Sequence, residues 1–374
     1  KCERTNIFFI DENNGWCVGN YGCILHTSNG GELWDKQDCP VDSVLYKVKF
    51  LNKNKGWVAG YYTLLNTVDG GNNWEINNGI NGWFVDIDFF DDKNGLLIER
   101  SGFILRTIDG GENWQIINSE PLSERLTSLS IIDQERAWIG GWQGLGYVTD
   151  KGASVQWYNV SSVSLVKDIQ FVDNEKGFLV NDIAQFLITI DGGWTWSEVP
   201  RGSGLEMGPI QYFYMIDKEN GWIYLDYKGG YLSNIKVNNT ISTLENDQYK
   251  VPAISDIYFL DSNTGWAIGS GGTILRFTGD KYPISNKSSD MINIFPNPFD
   301  IHGTNINFTL QKEQIVIIQV YNIIGQKVKM LYNGLLNKGE ITLFWDCNSI
   351  ASGIYFIHVR CDEFNQVKKC TILK

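Results

Sequence analysis

The residues best suited to chemistry are acids that recur beside glycines and a tryptophan. TIDGGENW at 107–114 has near copies in TSNGGELW at 27–34, TVDGGNNW at 67–74 and TIDGGWTW at 189–196. Asp69, Asp109 and Asp191 hold one place in the motif, and Trp74, Trp114 and Trp196 close it. A carboxylate in such a setting is a candidate general acid or cation ligand. A second acid recurs in DENNGW at 11, DNEKGF at 173 and DSNTGW at 261, with the look of a calcium loop. Its fifth residue is a glycine that opens a strand, however, and the twelfth-position glutamate is missing. An acid that returns once per repeat serves the repeat. Its carboxylate can accept backbone N–H groups of its own turn, the paired glycines supply φ > 0, and the tryptophan packs below. The motif therefore reads as a hairpin clamp, and no metal site or cofactor is expected.

Other catalytic sets are thin. A sialidase needs an arginine cluster and a tyrosine nucleophile paired with an acid, and other glycosidases need two facing carboxyls. Arg100, Arg106, Arg125, Arg136, Arg201 and Arg276 are present without a segment that marks a first arginine. There is no Gly-x-Ser-x-Gly elbow, and the three histidines are His26, His302 and His358. The seven cysteines do not have zinc spacing. Cys17 and Cys23 flank Gly19-Asn20-Tyr21, and Cys361 and Cys370 flank Asn365-Gln366. Residues directly opposed in a hairpin lie ~4.5 to 5.5 Å apart, within disulfide reach. Each pair is a candidate disulfide, with free buried thiols as the alternative.

The elements that position these residues are strands. Aromatics make up 13 % of the 374 residues, glycines number 39 and charged residues are 20 %, a balance that favours short strands and tight turns. Apolar runs such as NIFFI, KVKFL, DIDFF and DIYFL precede each D-x-x-x-G turn. A second strand of the GWCVG or GWVAG kind follows, then a glycine-rich hairpin, a third strand such as CILHT or FILRT, and the D-G-G-x-x-W stretch leading a fourth. Seven such units of about 40 residues predict an all-β chain with a seven-bladed β-propeller over 1–280. The last unit ends at TILRFTGD without a tryptophan-led fourth strand, so a closing strand is expected upstream of Lys1. Residues 281–290 read as a linker, and 291–374 as a small Ig-like β-sandwich.

The net charge of −12 and a pI near 4.8 argue against a nucleic-acid partner, which demands a positive field. No run of about 18 apolar residues exists to span a bilayer as a helix. The start at Lys1, with neither methionine nor signal pattern, suggests a processed chain.

The S/T-x-D-x-G-x-x-W pattern resembles the Asp-box of bacterial neuraminidase repeats, a structural hairpin set away from the catalytic centre. GWxxG followed by GxILxTxDGGxxW resembles more closely the seven-bladed propellers of the photosystem II assembly and stability factors, over roughly residues 5 to 280. That family's basic patch is matched only at Arg106 and Arg276, with His26, Asn66 and Ile188 at corresponding places, so no photosystem role is expected. The C-terminal stretch is similar to the type IX secretion sorting domain, at Pro296 to Phe299, Tyr321 through Gly325, Ala351 to Tyr355, and the terminal Lys368-Lys369. This resemblance implies the type IX machinery as a partner and export to the outer-membrane surface, or release, in a Bacteroidota-like bacterium.

Polar residues on the innermost strands remain as a possible ligand site, because those strands ring the channel. They are Lys47, Lys49, Asp86, Asp88, Asp168, Gln170, Tyr212, Tyr214, Asp256 and Tyr258. Either they bind a ligand or they satisfy one another across the ring, Lys47 and Lys49 against Asp86 and Asp88. The expected function is a secreted or cell-surface, non-catalytic, monomeric propeller that binds protein or glycan. The alternative is a secreted glycoside hydrolase of sialidase-like or other Asp-box type.

Overall fold

The computed structural model describes residues 3–118, 125–142, 144–160, 163, 165–202, 208–226, 230–238, 240–261, 263–277, 284–285, 292–295, 303–322, 326–347, 350–362 and 365–372. The chain divides into two compact units, Lys1–Pro283 and Ile284–Lys374. Seven four-stranded antiparallel sheets follow in chain order, all but the last strand of the seventh within the first unit. The inner strands are Arg4–Phe9, Leu45–Phe50, Phe84–Phe89, Leu126–Ile131, Val166–Phe171, Ile210–Met215 and Ile254–Phe259. Each touches the next, and the seventh touches the first, so the sheets form a closed propeller.

The tryptophan of each G-W pair explains why the repeat carries it. Trp16 of the first blade stacks on Phe50 of the second at 3.6 Å between centroids, and Trp266 of the seventh stacks on Phe9 of the first at 3.4 Å. Trp57 meets Phe89 at 4.4 Å and Trp222 meets Phe259 at 5.2 Å in the same way. The glycine before the tryptophan is needed for room, since a Cβ on Gly265 would overlap the Phe259 ring. In three blades the edge of the equivalent tryptophan also donates to the next blade's hairpin, Trp16 Nε1 to Gly70 O at 3.1 Å, Trp138 Nε1 to Gly192 O at 2.8 Å and Trp266 Nε1 to Gly30 O at 2.9 Å, whereas Trp57 Nε1 makes no such bond. One side chain thus supplies both apolar burial and a directional bond between blades.

The D-G-G hairpins are the clamps expected from sequence. Asp109 Oδ1 accepts the Thr107 hydroxyl at 2.8 Å and the Asn113 N–H at 2.9 Å, and Thr107 Oγ1 accepts the Gly111 N–H at 2.8 Å. Gly111 has φ of 84°, and a Cβ there would strike Trp57. Trp74, Trp114 and Trp196 are buried beneath their hairpins. The acids of the D-x-x-x-G turns are likewise occupied: Asp11 Oδ1 accepts the N–H groups of Asn13 and Asn14 at 2.9 and 2.7 Å.

Two sequence-based expectations are corrected. The described fourth strand of the seventh sheet is Ile284–Ser285, drawn from the stretch read as linker, where a closing strand from upstream of Lys1 is expected from sequence. Outer strands here are as short as Glu75–Ile76 and Gln115–Ile116, too short to leave a pattern. The cysteine pairs also fail. In the first hairpin Cys17 faces Leu25 and Cys23 faces Gly19, so the two are out of register. Cys17 is a free thiol, pushed up to about 12 by burial against the pull of Arg4, and Cys23 is disulfide-bonded to a different cysteine. Cys370 faces Tyr355 and donates to its carbonyl at 3.5 Å, and no disulfide joins it to Cys361.

The second unit is a sandwich of a three-stranded sheet (Asn293–Phe295, Thr304–Leu310, Gly339–Trp345) and a four-stranded one (Gln314–Asn322, Lys327–Leu336, Gly353–Arg360, Asn365–Ile372). Ile306, Phe308 and Trp345 of one sheet share a buried core with Val316, Ile318 and Ile357 of the other. Tyr355 donates its hydroxyl to Ala351 O at 3.0 Å, which fixes the turn that enters its strand. Pro296 to Phe299 and residues 323–325 lie outside the described residues.

Candidate functional site

Alternation along the inner strands turns every second side chain into the channel. Ile7, Val48, Ile87, Leu129, Ile169, Phe213 and Ile257 fill the space between blades, and the residues on either side of them line a cavity of about 290 Å³. Nine of the ten residues expected there do line it: Lys47, Lys49, Asp86, Asp88, Asp168, Gln170, Tyr214, Asp256 and Tyr258. Tyr212 is not among the lining residues. It sits opposite Tyr224 with ring centroids 6.3 Å apart.

The polar side chains are stitches between blades. Asn6 Oδ1 accepts the Val48 N–H at 2.9 Å, Asp86 Oδ2 the Leu129 N–H at 2.9 Å, and Asp256 Oδ2 the Ile7 N–H at 2.9 Å. One register position on an inner strand thereby caps the backbone of the next inner strand. Two residues further along, Ser130 Oγ accepts the Phe171 N–H at 2.9 Å, and Gln170 exchanges two 2.8 Å bonds with Met215. Tyr258 donates to Phe9 O at 2.8 Å, joining the seventh blade to the first. The lysines pair as expected from sequence, Lys47 with Asp86 at 3.2 Å and Lys49 with Asp88 at 2.6 Å.

Crowding of these charges in a narrow channel shifts their protonation. Burial pushes the Asp168 carboxyl up to about 6, although Lys47 and the 2.8 Å bond from Ser128 pull it down. Burial pushes Asp256 up to about 7, with Lys47 and the Ile7 N–H opposing and Asp168 adding to the push. Lys47 loses hydration too, yet Asp86, Asp256 and Asp168 together hold its ammonium above the ordinary lysine range. Its side chain keeps 35 % geometric exposure, but that exposure is to confined channel space rather than bulk solvent, so the shift follows the surrounding acids. The Tyr214 phenol is pushed up to about 12, chiefly by burial. No group of three or more metal-ligating side chains occurs among the described residues, and no helix among them is long and apolar enough to cross a membrane.

A second feature lies on the loops at one end of the propeller. In an antiparallel blade the turn between the second and third strands shares an end with the loop that leads to the next inner strand. There Tyr21, Tyr61 and Tyr62 are 73 %, 44 % and 58 % exposed. Trp83 packs with Tyr46 and Tyr61 at 6.1 and 5.3 Å, and the Arg100 guanidinium lies 4.7 Å over its ring. Sequence reasoning passed over Tyr21, Tyr61 and Tyr62 because they belong to hairpin loops. The available signal was a tyrosine pair in GYYT, where a tight turn favours glycine or asparagine.

Comparison with known proteins gives two family matches. Residues 3–78 match the family described as photosynthesis system II assembly factor YCF48, and residues 293–373 match the secretion system C-terminal sorting domain. The chain is similar to a chloroplastic photosystem II stability/assembly factor of Oryza sativa subsp. japonica, 39 % identical over 57 residues, which are 15 % of this chain and 14 % of that relative. Among solved structures it resembles YCF48 bound to D1 peptide, with TM-score 0.62 and 20 % identity over 75 % of this chain and 94 % of that one. It also resembles an ancestral GH74 enzyme, with TM-score 0.58 and 13 % identity over 98 % of this chain and 62 % of that one. The propeller architecture is thus shared by an assembly factor and a glycoside hydrolase. The sorting domain marks the chain as secreted or held at the outer-membrane surface, with the secretion machinery as a partner.

Proposed function

We propose that this chain is an exported, non-catalytic propeller that binds a protein or glycan at the cell surface. The observation that carries the reading is the occupation of the channel acids. Asp86, Asp88, Asp168 and Asp256 each accept a backbone N–H, and each also has a lysine, serine or asparagine partner. A glycosidase needs one carboxyl free to attack or to activate water and another free to donate its proton. Here the carboxyls hold blades together.

One observation favours a hydrolase instead. Asp256 and Asp168, raised to about 7 and about 6 beside Lys47, have the protonation expected of a general acid. Reducing-sugar release from a panel of polysaccharides, measured with the full chain and with Asp256→Asn and Asp168→Asn, separates the readings. The expected result is saturable binding to intact outer surfaces with no turnover. Sugar release that either substitution abolishes would overturn the proposal.

A further inference from the structure

We propose that the exposed tyrosines of the rim over the first two blades, braced by Trp83, are a platform for an uncharged glycan, whose pyranose faces stack on Tyr21, Tyr61 and Tyr62. This rests on the reading of the chain as a binder and names its ligand class. The rim is continuous. The Gly22 N–H bonds to Ser43 O at 2.8 Å, Ser43 Oγ bonds to Tyr61 O at 2.6 Å, Tyr61 bridges to Trp83, and the Arg100 N–H bonds to Trp83 O at 2.8 Å. Tyr21, Tyr61, Tyr62 and Trp83 therefore ride on one connected ridge of backbone.

Backbone geometry is the second, independent observation. Tyr21 and Tyr62 have φ of 60° and 53°, where a Cβ is disfavoured. The seventh blade has Gly271, φ 68°, at the position equivalent to Tyr21, between strand ends Gly19 and Cys23 in one case and Gly269 and Thr273 in the other. Folding alone would favour glycine at both sites. Two exposed aromatics held there against that preference point to a ligand, because strain of this kind is retained where a contact depends on it. The rings are also preorganised, since Tyr46, Tyr61 and Arg100 surround Trp83 and Tyr61 packs on Tyr62 at 4.5 Å.

The surroundings select the ligand chemistry. Arg100 is engaged by Trp83 and Glu99 accepts the Trp83 backbone N–H at 3.3 Å, while the exposed charges beside the tyrosines, Glu3 and Asp42, are both acidic. An anionic ligand is disfavoured there. Beside the rings stand the Asn20 amide, which donates to Glu3 at 3.3 Å, and the Ser43 hydroxyl, with the partly exposed Val41 and Val44, whereas the core of a protein interface is a contiguous desolvated apolar patch. Flat apolar faces edged by hydrogen-bonding groups complement a sugar ring, which has apolar C–H faces and a hydroxyl rim.

The test is native affinity electrophoresis of the full chain in gels carrying laminarin, hydroxyethylcellulose, arabinoxylan or mannan, with alginate as the charged control. Retardation by at least one neutral polymer is expected, weakened about tenfold or more in the Y21G/Y62G double variant. Those substitutions relieve backbone strain, so an unchanged or higher Tm will show that lost binding is not lost folding. Migration unaffected by all four neutral polymers, retardation by alginate alone, or retardation unchanged in the double variant would overturn the platform. If the chain binds no polymer but binds intact cells through the same two tyrosines, the glycan class falls and the binding function stands. If it binds neither, both fall.

Discussion

Asp256 of the last blade reaches Asn6 of the first, accepting its side-chain N–H at 2.6 Å and the neighbouring Ile7 N–H at 2.9 Å. The seam between chain-distant blades is thus closed on the channel side by the same register position that joins consecutive blades elsewhere. This makes the carboxyl structural, and its protonation becomes a stability term.

The first prediction is a fall in stability with rising pH. Asp256 and Asp168 have folded-state values of about 7 and about 6, above the ordinary carboxyl range near 4. The folded chain therefore binds protons that the unfolded chain has released. Their contribution is full below about pH 4 and is lost as pH rises through about 6 to 7. The turn acids act oppositely. Asp173 is desolvated, yet the Lys218 ammonium and nearby backbone N–H groups hold it at about 2, so its contribution is lost only as pH falls through that value. Urea midpoints for the propeller transition should decline between about pH 4 and 7, and Asp256→Asn with Asp168→Asn should flatten that slope. An unaltered slope in the double variant would show that other groups set it.

Removing Asp86 should be costly. It accepts the Leu129 N–H and pairs with Lys47, so Asp86→Ala strands a buried donor and an ammonium together. Since Lys47 stays partly open to the channel, the cost is about 2 to 3 kcal/mol rather than the larger figure for a fully buried pair. Asp86→Asn keeps an acceptor for Leu129 and should cost less. Chemical denaturation of the two variants orders them, and equal losses would mean that the backbone bond is unimportant.

The propeller was legible because its information is periodic. G-W, D-G-G-x-x-W and the alternating inner strand each recur, and Trp16, Trp57 and Trp266 play one role in successive blades. What escaped was aperiodic. The two-residue strand Ile284–Ser285 carries no pattern of its own, and hairpin register, which separates Cys17 from Cys23, depends on the length of a turn rather than on symmetric spacing. The channel lining was found by position. The pairing of Lys47 and Lys49 with Asp86 and Asp88 was also legible, but the backbone capping was not, because a side chain that caps the next blade's N–H is indistinguishable in sequence from one that faces a ligand.

The D-G-G hairpin should prove dispensable for binding and important for folding. Asp109→Ala removes an acceptor for Thr107 and Asn113 at the surface, a loss of about 1 kcal/mol. Gly111→Ala should cost more, about 2 to 3 kcal/mol, because it meets both the positive φ and Trp57. Binding to intact cells, measured at a temperature where both variants stay folded, should match the parent chain. A selective loss of binding in Asp109→Ala would return that acid to the list of functional residues.

Side chains hold the seam between the first and last blades. Trp266 stacks on Phe9 and donates to Gly30, while Trp57 makes the equivalent stack within the continuous chain. Either alanine substitution empties a large buried site, costing about 3 to 5 kcal/mol. The consequences differ in kind. At Trp57 the chain still connects the parted blades, whereas at Trp266 the blades that part are linked only through the rest of the ring. Trp266→Ala should therefore admit protease to the strands of the first blade below the global unfolding transition, and Trp57→Ala should not. Limited proteolysis with mass mapping reads the difference, and identical cleavage in the two variants would show that the seam is no weaker than any other blade interface.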